Sequence, residues 1–82
     1  MDVRITEAAE ARVDELPRPI QDRVLRIFER LREWPEVSGA KPLAGNLAEH
    51  YRIRTGDYRI LFRVEPRRIL VLKVGHRRDF YE

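Results

Sequence analysis

The sequence predicts an α+β fold: one small antiparallel β-sheet packed against an N-terminal pair of α-helices. Three observations carry this. Ile20, Val24, Ile27, Phe28, Leu31 and Trp34 recur at helical spacing, with Arg, Glu and Asp filling the other faces. From Tyr51 to Val64 apolar residues alternate with arginines at period two. Two tight connections, Thr55-Gly56-Asp57 and Glu65-Pro66-Arg67-Arg68, follow each other, so the three runs they join form an antiparallel meander. The 82 residues are expected to make one domain, 1–82, with a single small core.

Each element has its own local reason. Met1–Ile5 alternates weakly and reads as a short strand. Thr6 is placed to cap a first helix, with Glu7 and Glu10 favouring its start and Ala9, Val13 and Leu16 on one side. Pro17 and Pro19 interrupt that pattern, and a second helix begins near Pro19 and is ended by Pro35. Residues 38–46, SGAKPLAGN, form a loop rich in breakers. Tyr51–Arg54 and Tyr58–Val64 are the first two strands of the meander, and Ile69–Val74 is the third.

Composition narrows the classes. Hydrophobic residues at 43% suffice for a globular core. There is no cysteine, hence no disulfide framework and no thiolate metal site. No apolar run approaches the roughly 20 residues of a membrane span, and no signal-peptide pattern opens the chain. A soluble cytoplasmic protein with no membrane partner is expected. The charge is unevenly divided: residues 1–40 carry seven Arg against nine acids, and residues 41–82 ten Lys/Arg against five acids. The basic second half fits a polyanionic partner such as RNA or DNA; by itself it equally fits a solvated charged surface.

Strand parity sharpens this. With Tyr51 and Ile53 inward, Arg52 and Arg54 point outward together. With Tyr58, Ile60, Phe62 and Val64 inward, Arg59 and Arg63 share that outer face. With Leu70, Leu72 and Val74 inward, Lys73 joins them, and Arg77 lies near the same side. His76, Arg77 and Tyr81 reach the rim in the tail GHRRDFYE, where Arg78 adds another cation. Like charges on adjacent strands cost stability, and an anion on that face would compensate them. The other outcome is that the side chains splay apart or pair with Glu49, Asp57 and Glu65. Tyr51, Tyr58 and Trp34 read as core residues, and His50 as a loop residue.

The segment KPLAGNLAEHYRIRTGDYRILFRV, followed by ILVLKVGHRRDFY, resembles the RelE/ParE superfamily of toxins from type II toxin–antitoxin systems. Three motifs in order carry the resemblance: K-x-L-x-G, Y-R-I-R-x-G-D-Y-R-I-L-F and V-G-H-R-R-x-x-Y. The last is more similar to the RelE branch, which cuts messenger RNA, than to the ParE branch, which inhibits DNA gyrase. The resemblance extends over the helix pair and implies a RelE-like microbial RNase fold. It also implies mRNA cleavage at the ribosomal A site without metal or other cofactor. The 2′-hydroxyl attacks the adjacent phosphate, giving a 2′,3′-cyclic phosphate and a 5′-hydroxyl.

Site roles follow from the resemblance position by position. Arg59 and Arg77 are expected to stabilise the pentacovalent phosphorane, since a guanidinium binds phosphate as a bidentate fork. Arg52 and Arg54 stand where several RelE toxins carry lysines; they are expected to hold the RNA backbone. Arginine keeps its proton at any working pH and cannot serve as a base. A histidine side chain can carry or lose a proton near neutral pH, so His76 is the expected general acid, and Tyr81 is expected to deprotonate or position the 2′-hydroxyl. For His76 the plain alternative is a polar strand end, and for Tyr81 a ring packing the tail on the sheet. Arg63, Lys73, Lys41 and Arg78 complete the expected RNA-binding set; Lys41 equally reads as a solvated lysine.

Three functions remain open from sequence: a ribosome-dependent endoribonuclease, a ParE-like non-enzymatic gyrase inhibitor, and a weakly active homologue that acts through antitoxin binding and autoregulation. All three imply a cognate antitoxin, acidic and folding on binding. Operator DNA would be reached only through that antitoxin.

Overall fold

The computed structural model describes residues 1–45 and 48–80. In chain order it contains β1 (Asp2–Ile5), α1 (Glu7–Asp14), α2 (Arg18–Leu31), β2 (Lys41–Pro42), β3 (His50–Thr55), β4 (Tyr58–Val64) and β5 (Arg68–His76). One five-stranded sheet has the order β1-β5-β4-β3-β2. No helix among the described residues is long and apolar enough to cross a membrane.

The helices start and stop where their chemistry directs. Thr6 caps α1, its Oγ1 accepting from the Ala9 N–H at 3.2 Å. Ala9 and Val13 are the residues that α1 buries. Proline stands in the first turn of α2, where no N–H is needed. Val24, Ile27, Phe28 and Leu31 form its buried stripe, and the Gln21 side-chain amide ties the two helices by donating to the Val13 carbonyl at 3.1 Å. The helix ends at Leu31, ahead of Pro35. The turns that follow carry Trp34 over the sheet, edge-on to Tyr51 (4.7 Å) and Phe62 (5.6 Å). Ile53, Ile60, Phe62, Ile69, Val71 and Val74 complete the core from the sheet side.

The structure departs from the expected sheet in three details. β1 is parallel to β5, Asp2 pairing with Arg68 and Ile5 with Val71. The intervening helices make this a crossover, which a parallel pair requires. Lys41–Pro42, within the expected loop, adds a two-residue edge strand on β3. The third departure is the phase of β5. Leu61 pairs with Lys73 but Phe62 with Val71, so Leu72 is the extra residue of a bulge. The bulge shifts alternation by one, and Ile69 and Val71, rather than Leu70 and Leu72, face the helices. Val74 is inward as expected. An uninterrupted apolar run carries no phase of its own, and Ile69–Leu72, where the bulge falls, is such a run.

Candidate functional site

The β3–β4 hairpin turns through Gly56 and Asp57. Gly56 takes φ +59, which a side chain would disfavour. The tight turn fixes register, so Arg54 lies directly opposite Arg59 and Arg52 opposite Leu61. On its other side β3 pairs Arg52 with Lys41, and β4 pairs Arg59 with Gly75. Cross-strand partners share a face. The sheet's second side, away from the helices, therefore presents Lys41, Arg52, Arg54 and Arg59 in one strip. Gly75 continues it as bare backbone.

A cleft of about 590 Å³ lies over this strip. Lys41, Arg52, Arg54, Arg59, Arg77 and Asp57 line it, with Gly39 and Gly56. Among the described lining residues, five cationic side chains stand with one carboxylate. Arg59 is only 9% exposed. Its Nη1 donates to the carbonyls of Gly56 and Tyr58, both at 3.2 Å. Among the described residues no carboxylate pairs with it. A buried guanidinium without a counter-ion is costly, and an anion in the cleft would offset that cost.

Asp57 stands at the rim. Its carbonyl accepts the Arg77 N–H at 2.7 Å. Its carboxylate lies 3.7 Å from Arg77 Nε and 4.0 Å from His76 Nε2. His76 pairs with Tyr58 in register, so its ring shares Tyr58's side of the sheet and stands edge-on to that ring at 5.4 Å. His76 Nδ1 accepts the Arg78 backbone N–H at 3.1 Å, which leaves the proton of the neutral ring on Nε2, toward Asp57. His76 is thus absent from the cleft lining and reaches the cleft only through Asp57.

The other expected site residues are spread out. Arg63 lies on the expected face but pairs with Glu65, which Arg68 also engages. Hydrogen bonds from Arg68 and then Arg63 hold the Glu65 carboxyl below its ordinary value of 4.5. Lys73 also points to that face, where its ammonium donates to the Phe80 carbonyl and sits 5.2 Å from the Phe80 ring. It anchors the tail and does not line the cleft. Arg78 is exposed beyond the rim. Tyr81 lies outside the described residues. Sequence reasoning named Asp57 only as a possible partner of the arginines, not as a member of the site. Gly-Asp is an ordinary turn dipeptide, so the aspartate is fully explained by the turn.

Comparison with known proteins agrees with the fold. A family model described as "ParE toxin of type II toxin-antitoxin system, parDE" matches residues 3–81. Toxin RelG of Mycobacterium tuberculosis is 35% identical over 82 residues, covering 96% of this chain and 93% of the relative. The toxin–antitoxin complex RelBE2 of the same organism contains a chain with TM-score 0.78 and 31% identity, covering 92% of this chain and 95% of that one. In the RelB–RelE complex of Methanococcus jannaschii the match has TM-score 0.79 at 24% identity, covering 95% and 94%. At that identity the likeness speaks for the fold alone.

Proposed function

The chain belongs to the RelE/ParE superfamily of type II toxin–antitoxin toxins, and from that premise we propose that it is a ribosome-dependent mRNA endoribonuclease of the RelE kind. The observation that carries this reading is the cleft, where five cations face one carboxylate and a buried Arg59 has no carboxylate partner among the described residues. Such a site favours a phosphodiester backbone. Arg59 and Arg77 stabilise the charge that develops as the 2′-oxygen attacks phosphorus and the 5′-oxygen leaves. Lys41, Arg52 and Arg54 hold the strand in line. His76 stands at the rim behind Asp57, and Tyr81 belongs to the same tail. The ribosome would supply the bent mRNA that an open cleft cannot impose alone, which puts the work in the cytoplasm.

The toxins in the RelBE2 and M. jannaschii structures are solved with antitoxins. We extend this to a cognate antitoxin of acidic character that covers the cleft. Operator DNA would then be met only through that partner.

The description of the matching family favours a second reading, in which the protein inhibits DNA gyrase without chemistry. One experiment separates the two. Primer extension on an mRNA in a purified translation system is run with wild type and Arg77→Ala. Discrete cuts that need the ribosome, and that Arg77→Ala abolishes, are expected. Intact mRNA together with inhibited supercoiling would overturn the nuclease in favour of the gyrase reading.

A further inference from the structure

Resting on the nuclease reading, we propose that Asp57, in the hairpin turn, is the base that takes the proton from the attacking 2′-hydroxyl. Among the described residues that line the cleft, the side chains are guanidiniums, one ammonium and this one carboxylate. A guanidinium cannot accept a proton, and an ammonium has no lone pair to offer. The carboxylate can. His76, the described imidazole nearest the cleft, accepts the Arg78 N–H on Nδ1, so its neutral ring keeps its proton on Nε2 and has no lone pair left to take another.

Geometry supports the assignment independently. Asp57 Oδ1 lies 3.7 Å from Arg77 Nε. In RNA the 2′-oxygen and the 3′-phosphate sit on adjacent ribose carbons. A phosphate seated on Arg77 therefore brings the neighbouring 2′-hydroxyl to Asp57. The carboxylate is free to meet it. Its side chain is 63% exposed, and neither oxygen is closer than 3.7 Å to its charged neighbours. The Arg77 N–H to Asp57 carbonyl bond fixes the residue over the cleft whatever the side chain does.

The step balances. The 2′-hydroxyl proton passes to the carboxylate as the O2′–P bond forms. The P–O5′ bond breaks, and the departing oxygen takes a proton from solvent water, which the open cleft admits. His76 stands behind the carboxylate, its Nε2 4.0 Å from Oδ2, and is a positioning residue.

Single-turnover cleavage of ribosome-bound mRNA, measured across ribosome concentrations, tests the proposal with wild type, Asp57→Asn and Asp57→Glu. Asparagine suits the second position of a Gly-led turn, so Asp57→Asn keeps the hairpin. Its maximal rate is expected to fall about 10²–10³-fold, the scale of general-base loss, with the half-saturating ribosome concentration unchanged. Asp57→Glu restores at least tenfold of that loss. Asp57→Asn cutting within threefold of wild type, or losing only saturation at full rate, overturns the role of Asp57 and leaves the nuclease standing. Wild type that cuts nothing overturns both.

Discussion

Two arginine clusters occupy the same side of one sheet. At the β1 end Arg63 and Arg68 share the carboxylate of Glu65 in close ion pairs. At the hairpin end Arg52, Arg54, Arg59 and Arg77, with Lys41, line a cleft in which Asp57 is the carboxylate among the described lining residues, the nearest of its ion pairs at 3.7 Å. Arg59 and Arg63 stand four residues apart on β4, roughly 13 Å along the strand. The first cluster is neutralised within the fold and bends no chemistry toward a ligand. The second keeps like charges opposed across strands, Arg54 against Arg59, an arrangement that costs stability. The same residue type is thus ion-paired at one end and gathered around a cleft at the other.

The sharpest break of this comparison is catalytic. Arg77→Ala lowers the cleavage rate about 10²–10³-fold, the scale of losing one transition-state donor, while Arg63→Ala changes it less than about threefold. Single-turnover cleavage of ribosome-bound mRNA measures both, and equal losses would erase the distinction. Next in size is the electrostatic footprint. Arg54→Ala reduces the salt dependence of RNA binding by about one phosphate contact, and its thermal midpoint does not fall, because it relieves the clash with Arg59. Filter binding across salt, with a melt alongside, gives both numbers.

Converting one cluster into the other is a smaller effect. Glu65→Gln releases two guanidiniums and raises RNA affinity roughly two- to fivefold, the scale of a surface ion pair. The smallest effect is on pH. Glu65 has its carboxyl lowered by Arg68 and Arg63, so its contribution to stability is full above its ordinary value of 4.5 and disappears as pH falls through the lowered folded value. Wild type should lose part of its advantage over Glu65→Gln in that acid window. Parallel melting curves would refute this.

Much of the cleft was legible because β3 and β4 alternate cleanly. Tyr51 and Ile53 fix the inward phase, the Gly56 turn fixes the register, and Arg52, Arg54 and Arg59 then fall on one face without further information. The Thr6 cap and the Val24–Leu31 stripe were legible for the same reason, since local chemistry and burial agree. What failed to show was long-range. β5 is apolar at almost every position, so nothing in ILVLKV marks the bulge at Leu72. Which arginine meets Glu65 depends on the β4–β5 connection folding back, and the alternation treats Arg63 like Arg59. His76 was placed by its proximity to Arg77 in sequence. Adjacent residues at a strand end point to opposite sides, and the ring went with Tyr58. Asp57 was hidden because a turn already accounts for it.

The parallel pairing of β1 with β5 has a consequence for how the molecule comes into being. At synthesis rates of about 5–20 residues per second, a chain of this length takes roughly 4–16 s to emerge. β1, α1 and α2 leave first with their apolar sides uncovered, and β1 has no partner until the last strand arrives. Arg77 follows that strand, so the cleft's cations come together only after β5 has emerged. A nascent or prematurely released chain holds neither a closed sheet nor a complete set of cations. Chain order therefore sets a sequence in time: the cleft's cations converge only after β5 has paired with β1 and β4.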